Sequence, residues 1–348
     1  MNFSITLQPS GTRFTCDANT PILRAGLDAG SRLPFSCRSG VCRTCRGKIV
    51  EGEVDPGLVH PNYLSDADKA AGFTHLCQAK PRSNCVIEID ELDPALSFPV
   101  REVPARVLRL ERLAPDVMCV QLGLPPNEPL RFNAGQYVSI NIGDGLRRSY
   151  SIASAAHVDG LRQFELHIRH MPGGVFTDRL FTTTKVRDVL RIEAPLGNFY
   201  LREESLRPAI LIASGTGFAP IKSIVEAELA GSQSRPLHLY WGGRRRVDLY
   251  LDSLATDWAE HHKHVRYTPV LSDASAQCTW SGREGFVHEA VLQDHADLAG
   301  FDVYACGAPL MVEAARRDFC ALRGLPAERF FADAFVSQAD IADLTPTS

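Results

Sequence analysis

Apolar and polar residues alternate in short runs near the start of the chain. Phe3-Ser-Ile-Thr-Leu-Gln8 and Arg13-Phe-Thr-Cys16 switch face at every step, the two-residue period of a half-buried strand. The turn Pro9-Ser10-Gly11 between them predicts that the two pair. Residues 21–29 predict a short helix, with Pro21 at its start and Gly30 just past its end. Strands at 47–53 and 85–90 complete a small sheet. Pro94, Pro99 and Pro104 then mark 93–104 as an extended connector.

The pattern changes twice more. From 101 to about 205, alternating segments at 104–112, 117–123, 136–142, 149–153, 163–170 and 188–194 are separated by Gly, Pro and Asn. That spacing predicts an antiparallel β-barrel. From about 206, apolar runs at 209–213, 237–241, 265–271 and 302–305 alternate with helical stretches at 219–230, 286–294 and 309–323. Strand and helix in alternation predict an α/β domain with a mainly parallel sheet. The expectation is a multidomain α+β and α/β protein, divided at 1–93, 101–205 and 206–348.

Composition narrows the function classes. A chain of 348 residues has room for two or three domains. The net charge of −4 gives no reason to expect nucleic acid or an anionic membrane as partner. No apolar run reaches membrane-spanning length. The N-terminus lacks the basic start and apolar core of a secretory signal, so a cytoplasmic location is expected. Ten cysteines in a reducing compartment point to metal rather than to disulfides.

Four of them are arranged for it. Cys37-Arg-Ser-Gly-Val-Cys42-Arg-Thr-Cys45 has C-x4-C-x2-C spacing, and Cys77 follows at a distance. This is the ligand pattern for one [2Fe–2S] cluster, which needs four soft thiolates. A zinc ribbon would want a second C-x2-C pair. Cys85 alternates with Ile87 and Ile89 and so reads as a core residue, which leaves Cys77 as fourth ligand. Residues 1–93 resemble the plant-type ferredoxin domain, which implies a β-grasp-like fold. Arg43 departs from the C-G-x-C form of many bacterial relatives; it is no ligand, and the departure bears on local polarity.

Arg148-Ser149-Tyr150-Ser151 lies in the barrel region, and Gly173-Gly174-Val175-Phe176-Thr177 follows it. In that order they resemble the FAD-binding motifs of the ferredoxin–NADP reductase superfamily, and the resemblance extends over 101–348. It implies Arg148 on the diphosphate, Tyr150 against the isoalloxazine, and Ser151 hydrogen-bonding near N5. Gly173 and Gly174 would admit the phosphates to the N-terminus of a helix opened by Val175. Gln136 and Tyr137 read either as a strand beside the flavin or as barrel packing.

A buried strand at 209–213 runs into Ser214-Gly215-Thr216-Gly217-Phe218-Ala219-Pro220 and a helix, a diphosphate cradle. G-T-G-x-A-P resembles the reductase superfamily rather than the G-x-G-x-x-G fingerprint. Arg244, Arg245 and Arg246 read equally as contacts to ribose or a 2′-phosphate and as a solvated turn. Cys306-Gly307-Ala308-Pro309 resembles the family turn that sets a cysteine beside the nicotinamide; packing is the alternative. Phe335 matches the aromatic that shields the flavin, although residues continue beyond it.

Together the resemblances imply an NAD(P)H-dependent iron–sulfur flavoprotein, like the single-chain reductase components of bacterial oxygenases. Electrons would pass from NADH, with NADPH not excluded, through FAD and the cluster to a partner protein. Ser151, Cys306 and Phe335 are the expected catalytic positions. A reductase of sugar deoxygenation, of the CDP-6-deoxy-glucoseen reductase type, is the alternative. A redox-binding module with a vestigial reductase half is the non-enzymatic one, and the intact motifs speak against it. Arg32, Arg38, Arg43, Arg46 and Lys48 lie in a stretch without an acid, which predicts a basic rim for an acidic docking face.

Overall fold

The structure, a computed structural model, describes residues 1–94, 97–231, 235–274 and 279–336. The chain divides into two compact units. Among the described residues, one comprises those up to Ser97 and those from Ala332 on, the other those from Phe98 to Phe331.

In the first unit the expected hairpin forms. Strands β1 (Asn2–Gln8) and β2 (Arg13–Asp17) are antiparallel, with Ile5 opposite Phe14. Helix α1 (Ile22–Asp28) buries Ile22 and Leu23. After it come β3 (Arg46–Glu51), β4 (Val54–Asp55), α2 (Asp66–Ala70), β5 (Phe73–His75), β6 (Lys80–Pro81) and β7 (Cys85–Glu88). Five strands make one sheet in the order β2-β1-β7-β3-β5, with β1 parallel to β7. Cys85 is buried in this core, as its alternation implied. The sequence pattern did not reveal α2. It is a single turn or so started by a capping box, in which Ser65 Oγ accepts from Asp68 N–H and Asp68 accepts from Ser65 N–H.

The second unit begins with the barrel: β8 (Arg101–Ala114), β9 (Val117–Gly123), β10 (Tyr137–Gly143), β11 (Leu146–Ser151), β12 (Gln163–Arg169), α3 (Val175–Thr182) and β13 (Val189–Leu196). The strand order is β11-β10-β13-β8-β9-β12, with antiparallel neighbours throughout. A bridge from Ile152 to Leu166 closes the ring. Met118, Val120, Leu122, Phe164, Leu166 and Ile168 point into the barrel core, as period-two alternation requires.

The α/β part follows: β14 (Ala209–Ser214), α4 (Phe218–Ala230), β15 (Leu237–Gly243), α5 (Asp252–His261), β16 (Val265–Leu271), β17 (Arg283–Glu284), α6 (Val287–Asp294), β18 (Asp302–Gly307), α7 (Pro309–Arg323) and β19 (Phe330–Ala334). The sheet order is β17-β16-β15-β14-β18-β19, and β14 lies parallel to both β15 and β18. That placement brings the ends of β14 and β18 side by side. Phe218, at the head of α4, stacks on Trp241 with ring centroids 3.8 Å apart and planes 6° from parallel. Among the described residues no helix is long and apolar enough to cross a membrane.

Candidate functional site

Cys37, Cys42 and Cys45 sit on the loop between α1 and β3, and Cys77 follows β5. The loop aims backbone donors at sulfur. The N–H groups of Cys42 and Ser39 lie 3.3 and 3.4 Å from Cys37 Sγ, and Cys37 N–H lies 3.5 Å from Cys42 Sγ. The four sulfurs also act on one another. The Cys42 thiol is pushed down to about 6, chiefly by its bond with Cys37. Cys37 is held above its usual range by Cys42 and burial, and Cys45 by Cys77 and burial. Two bonded pairs of thiols, Cys37 with Cys42 and Cys45 with Cys77, with N–H groups turned toward Cys37 and Cys42, fit a [2Fe–2S] cluster.

The loop needs left-handed backbone at Arg38 (φ 55°), Gly40 (φ 77°) and Arg43 (φ 64°). At Arg43 this costs a side-chain-bearing residue about 1–2 kcal/mol. The guanidinium offsets it, donating to the carbonyls of Asn62 (2.6 Å) and Tyr63 (3.1 Å). His75 is buried, and burial pushes its imidazole down to about 4. The neutral ring therefore donates from Nδ1 to the Gly40 carbonyl at 2.8 Å. Asp333 lies two residues before Phe335. Its carboxylate accepts from Ser36 Oγ at 2.6 Å, one residue before Cys37. Burial pushes that carboxyl up to about 7.

The basic residues around the loop are mostly engaged. Arg32 donates to the Leu92 carbonyl, Arg38 lies over the Phe35 ring, Arg43 holds residues 62 and 63, and Arg46 pairs with Asp68 over the Phe73 ring. Of the five, Lys48 is the exposed one.

In the barrel, β11 carries Arg148, Ser149, Tyr150 and Ser151. Ser151 is 4% exposed, and its hydroxyl has no hydrogen-bond partner among the described residues. A buried hydroxyl left this way is costly unless a ligand completes it. Tyr150 lies 5.5 Å from the Phe176 ring, so the two flavin motifs adjoin. Gly174 caps α3, and a Cβ there would press on Thr177 Oγ1 and the Met171 carbonyl. At Gly173 (φ 81°) a Cβ would meet nothing, which leaves open space before the Val175 end of the helix. These features fit a flavin diphosphate at the helix N-terminus and a hydrogen-bond acceptor at Ser151. Thr177 Oγ1 is occupied by the loop itself, donating to the Met171 carbonyl at 2.9 Å. Gln136 bonds the Gly197 carbonyl and Asn133 N–H, which is barrel packing.

In the α/β part the Gly215-Thr216-Gly217 turn and the Cys306-Gly307 turn interlock. A Cβ at Gly217 would collide with the Cys306 carbonyl, and one at Gly307 with Ser214 Oγ. Ser214 Oγ accepts from Ala308 N–H at 2.9 Å. Trp241 Nε1 donates to the Gly215 carbonyl at 3.0 Å. Cys306 is fully buried. Arg244 and Arg246 are exposed, while Arg245 lies 3.7 Å from Asp273. Arg169 stands outside every motif legible in the sequence. It ends β12, pairs with Asp116 and Asp248, and brings Nη2 to 3.2 Å from where a Gly215 Cβ would stand. Phe335 is half-buried just past β19, and residues 337–348 of the expected tail lie outside the described residues.

Three family matches run along the chain in this order: a 2Fe-2S iron-sulfur cluster binding domain at residues 5–82, an oxidoreductase FAD-binding domain at 104–200, and an oxidoreductase NAD-binding domain at 211–317. The chain is 39% identical over 336 residues to the CDP-6-deoxy-L-threo-D-glycero-4-hexulose-3-dehydrase reductase of Yersinia pestis, spanning 97% of this chain and 99% of that one. The chain belongs to the iron–sulfur flavoprotein reductases. Another member, the aromatic O-demethylase reductase subunit of an Amycolatopsis species, is 37% identical over 94% of this chain and 96% of its own. The crystal structure of an Amycolatopsis cytochrome P-450 reductase is similar with a TM-score of 0.77 and 36% identity, covering 96% of this chain and 99% of that one. As a reductase of this family the chain has binding domains for the cluster, FAD and NAD.

The interlocked turns yield a direct test. Gly217→Ala should raise KM for NADH roughly tenfold or more, about 1.4 kcal/mol of lost binding. The flavin and iron contents should stay as in the parent protein. Titration of NADH oxidation with a flavin-reactive dye reads this, and an unchanged KM would show that the turn does not carry the nucleotide.

Proposed function

We propose that this reductase takes electrons from NAD(P)H through FAD to its [2Fe–2S] cluster and delivers them to a partner oxygenase. The observation that carries this reading is the four-sulfur site on the same chain as the two interlocked nucleotide turns. Bound flavin accepts electrons as a pair from the nicotinamide, and a [2Fe–2S] cluster handles them one at a time. Segments 1–93, 101–205 and 206–348 are the three working domains in this reading.

The residues have these roles in the proposal. Cys37, Cys42, Cys45 and Cys77 ligate iron, and the Cys42 and Ser39 N–H groups offset negative charge on sulfur. Arg148 binds the flavin diphosphate as a charge-assisted donor. Ser149, Gly173, Gly174 and Val175 line the same end, and Thr177 keeps that loop closed. Tyr150 lies on the flavin ring, and the Ser151 hydroxyl donates at its N5 edge. Gly215, Thr216 and Gly217 cradle the nicotinamide nucleotide's diphosphate, with Arg169 as its cation. Cys306 and Gly307 border the nicotinamide, Arg244 the adenosine ribose, and Phe335 shields the flavin. The location is cytoplasmic, and fractionation that finds the protein elsewhere would overturn that part.

A second reading differs only in the acceptor. The 39% identity to the Yersinia dehydrase reductase favours a sugar-deoxygenation partner. Purified acceptors of both kinds, supplied with NADH and the reductase, separate the two by which one turns over.

Cys45→Ser tests the order of transfer. A serine oxygen is a harder ligand than thiolate, so the cluster should be lost. NADH-dependent reduction of a dye that draws on flavin should persist within about twofold, while reduction of the protein acceptor should fall by roughly 100-fold or more, as when an essential step is removed. Equal loss of both activities with FAD still bound defeats the proposed series.

NADH is the preferred coenzyme in this reading. Comparison of kcat/KM for the two coenzymes checks it, and a higher value for NADPH reverses the assignment.

The partner meets the cluster side through an acidic face. Because Arg43 and Arg46 hold the loop together, Lys48→Glu is the fair probe. Acceptor reduction should slow in this variant and in high salt, with dye reduction unaltered. Insensitivity to both removes electrostatic docking.

A further inference from the structure

Outside the cofactor sites, the second unit holds a compact trio of metal-binding side chains. Cys119 on β9 stands directly across the strand pair from His167 on β12. Glu165 lies two residues before His167 and so on the same face. Alternation sends their neighbours Met118, Val120, Leu166 and Ile168 into the barrel core and leaves these three on the opposite face. They are not open to water there. Cys119 is 3% and His167 5% exposed, while Glu165 remains half-buried at the rim. One donor atom from each lies within 4.8 Å of the others.

We propose that Cys119, Glu165 and His167 form a site for a zinc ion. Sulfur, imidazole nitrogen and carboxylate oxygen are the donor types zinc takes, and three protein ligands leave a fourth position for water. A tetrahedral zinc with bonds of about 2.0–2.3 Å sets its ligands roughly 3.5 Å apart. Any closing of the trio onto the ion falls to the rim carboxylate, which can rotate.

Two further observations point the same way. His167 Nδ1 lies 3.1 Å from the Tyr250 hydroxyl, which fixes the ring and leaves Nε2 for a cation. Such a bond to the far nitrogen is what orients a metal-binding histidine. The surrounding charge leaves room for a cation. Glu165 has loose partners in Lys222 at 3.7 Å and Arg109 at 3.4 Å. Lys222 bonds more tightly to Glu226 at 2.9 Å and to the Ala153 carbonyl at 3.1 Å, and Arg109 to Glu111 at 3.1 Å. Three carboxylates therefore face two cations.

The chemistry balances without any oxidant. Cys119 starts as a free thiol. Zinc displaces its proton to solvent and forms a Zn–S bond, and nothing is oxidised or reduced. Tyr250 packs edge-on against Trp241 and Phe218, so the ion would tie the barrel's outer face to the start of the nucleotide helix.

The test uses the holoprotein, with FAD and cluster in place, dialysed against micromolar zinc chloride. Metal analysis should find one zinc per chain, and the zinc K-edge spectrum should show one sulfur with lighter ligands. Cys119→Ala and His167→Ala should each lose this zinc while keeping the flavin spectrum. Tyr250→Phe should keep the sulfur ligand and bind about tenfold more weakly. Glu165→Gln, at the rim, decides the matter if either buried variant misfolds; it too should bind at least about tenfold more weakly. No zinc uptake, a spectrum with four sulfurs and so zinc on the cluster cysteines, or unchanged affinity in Glu165→Gln would overturn the proposal.

Discussion

No side chain fits at residue 217, and much of the nucleotide site follows from that. The turn after β14 and the turn after β18 meet closely, Gly217 against the Cys306 carbonyl and Gly307 against Ser214. Parallel pairing of neighbouring strands brings two segments ninety residues apart to the same edge of the sheet. Only then can the N-terminus of α4 open toward a phosphate, which is where open α/β sheets hold their ligands. The Phe218–Trp241 stack and the Trp241 bond to Gly215 hold the turn from behind.

The cluster loop solves a different problem with similar means. Four thiols must meet where water is scarce, and burial alone would keep each of them protonated. The loop therefore turns its own N–H groups onto sulfur, which favours negative charge there. Left-handed residues at 38, 40 and 43 make that turn possible. One unit thus spends backbone strain on binding anionic sulfur, while the other relies on glycine to admit a phosphate.

The regular elements were legible wherever burial is one-sided. Segment 117–123 was read with its observed ends because Met118, Val120 and Leu122 recur at every second position and Gly123 closes the run. Helix α5 was missed because it buries only Ala255 and Trp258, too thin an apolar stripe to stand out. The four cysteines were legible because their spacing is local and their chemistry narrow. Arg169 and Asp333 were not, since each takes its meaning from partners far away in sequence, Gly215 and Ser36. Counting charges around the cluster loop overstated the free basic surface, because a count cannot show that Arg43 and Arg46 already have partners.

Arg43 links two segments. Its left-handed conformation is one a glycine would adopt freely, yet its guanidinium carries the carbonyls of Asn62 and Tyr63. Glycine at 43 would relax the loop and release the 62–63 segment; a shift of that segment would leave arginine strained with nothing to offset it. The tie runs through main-chain carbonyls, so it leaves side-chain identity at 62–63 free to vary, whereas an insertion or deletion there would move those carbonyls and remove what Arg43 is strained to hold.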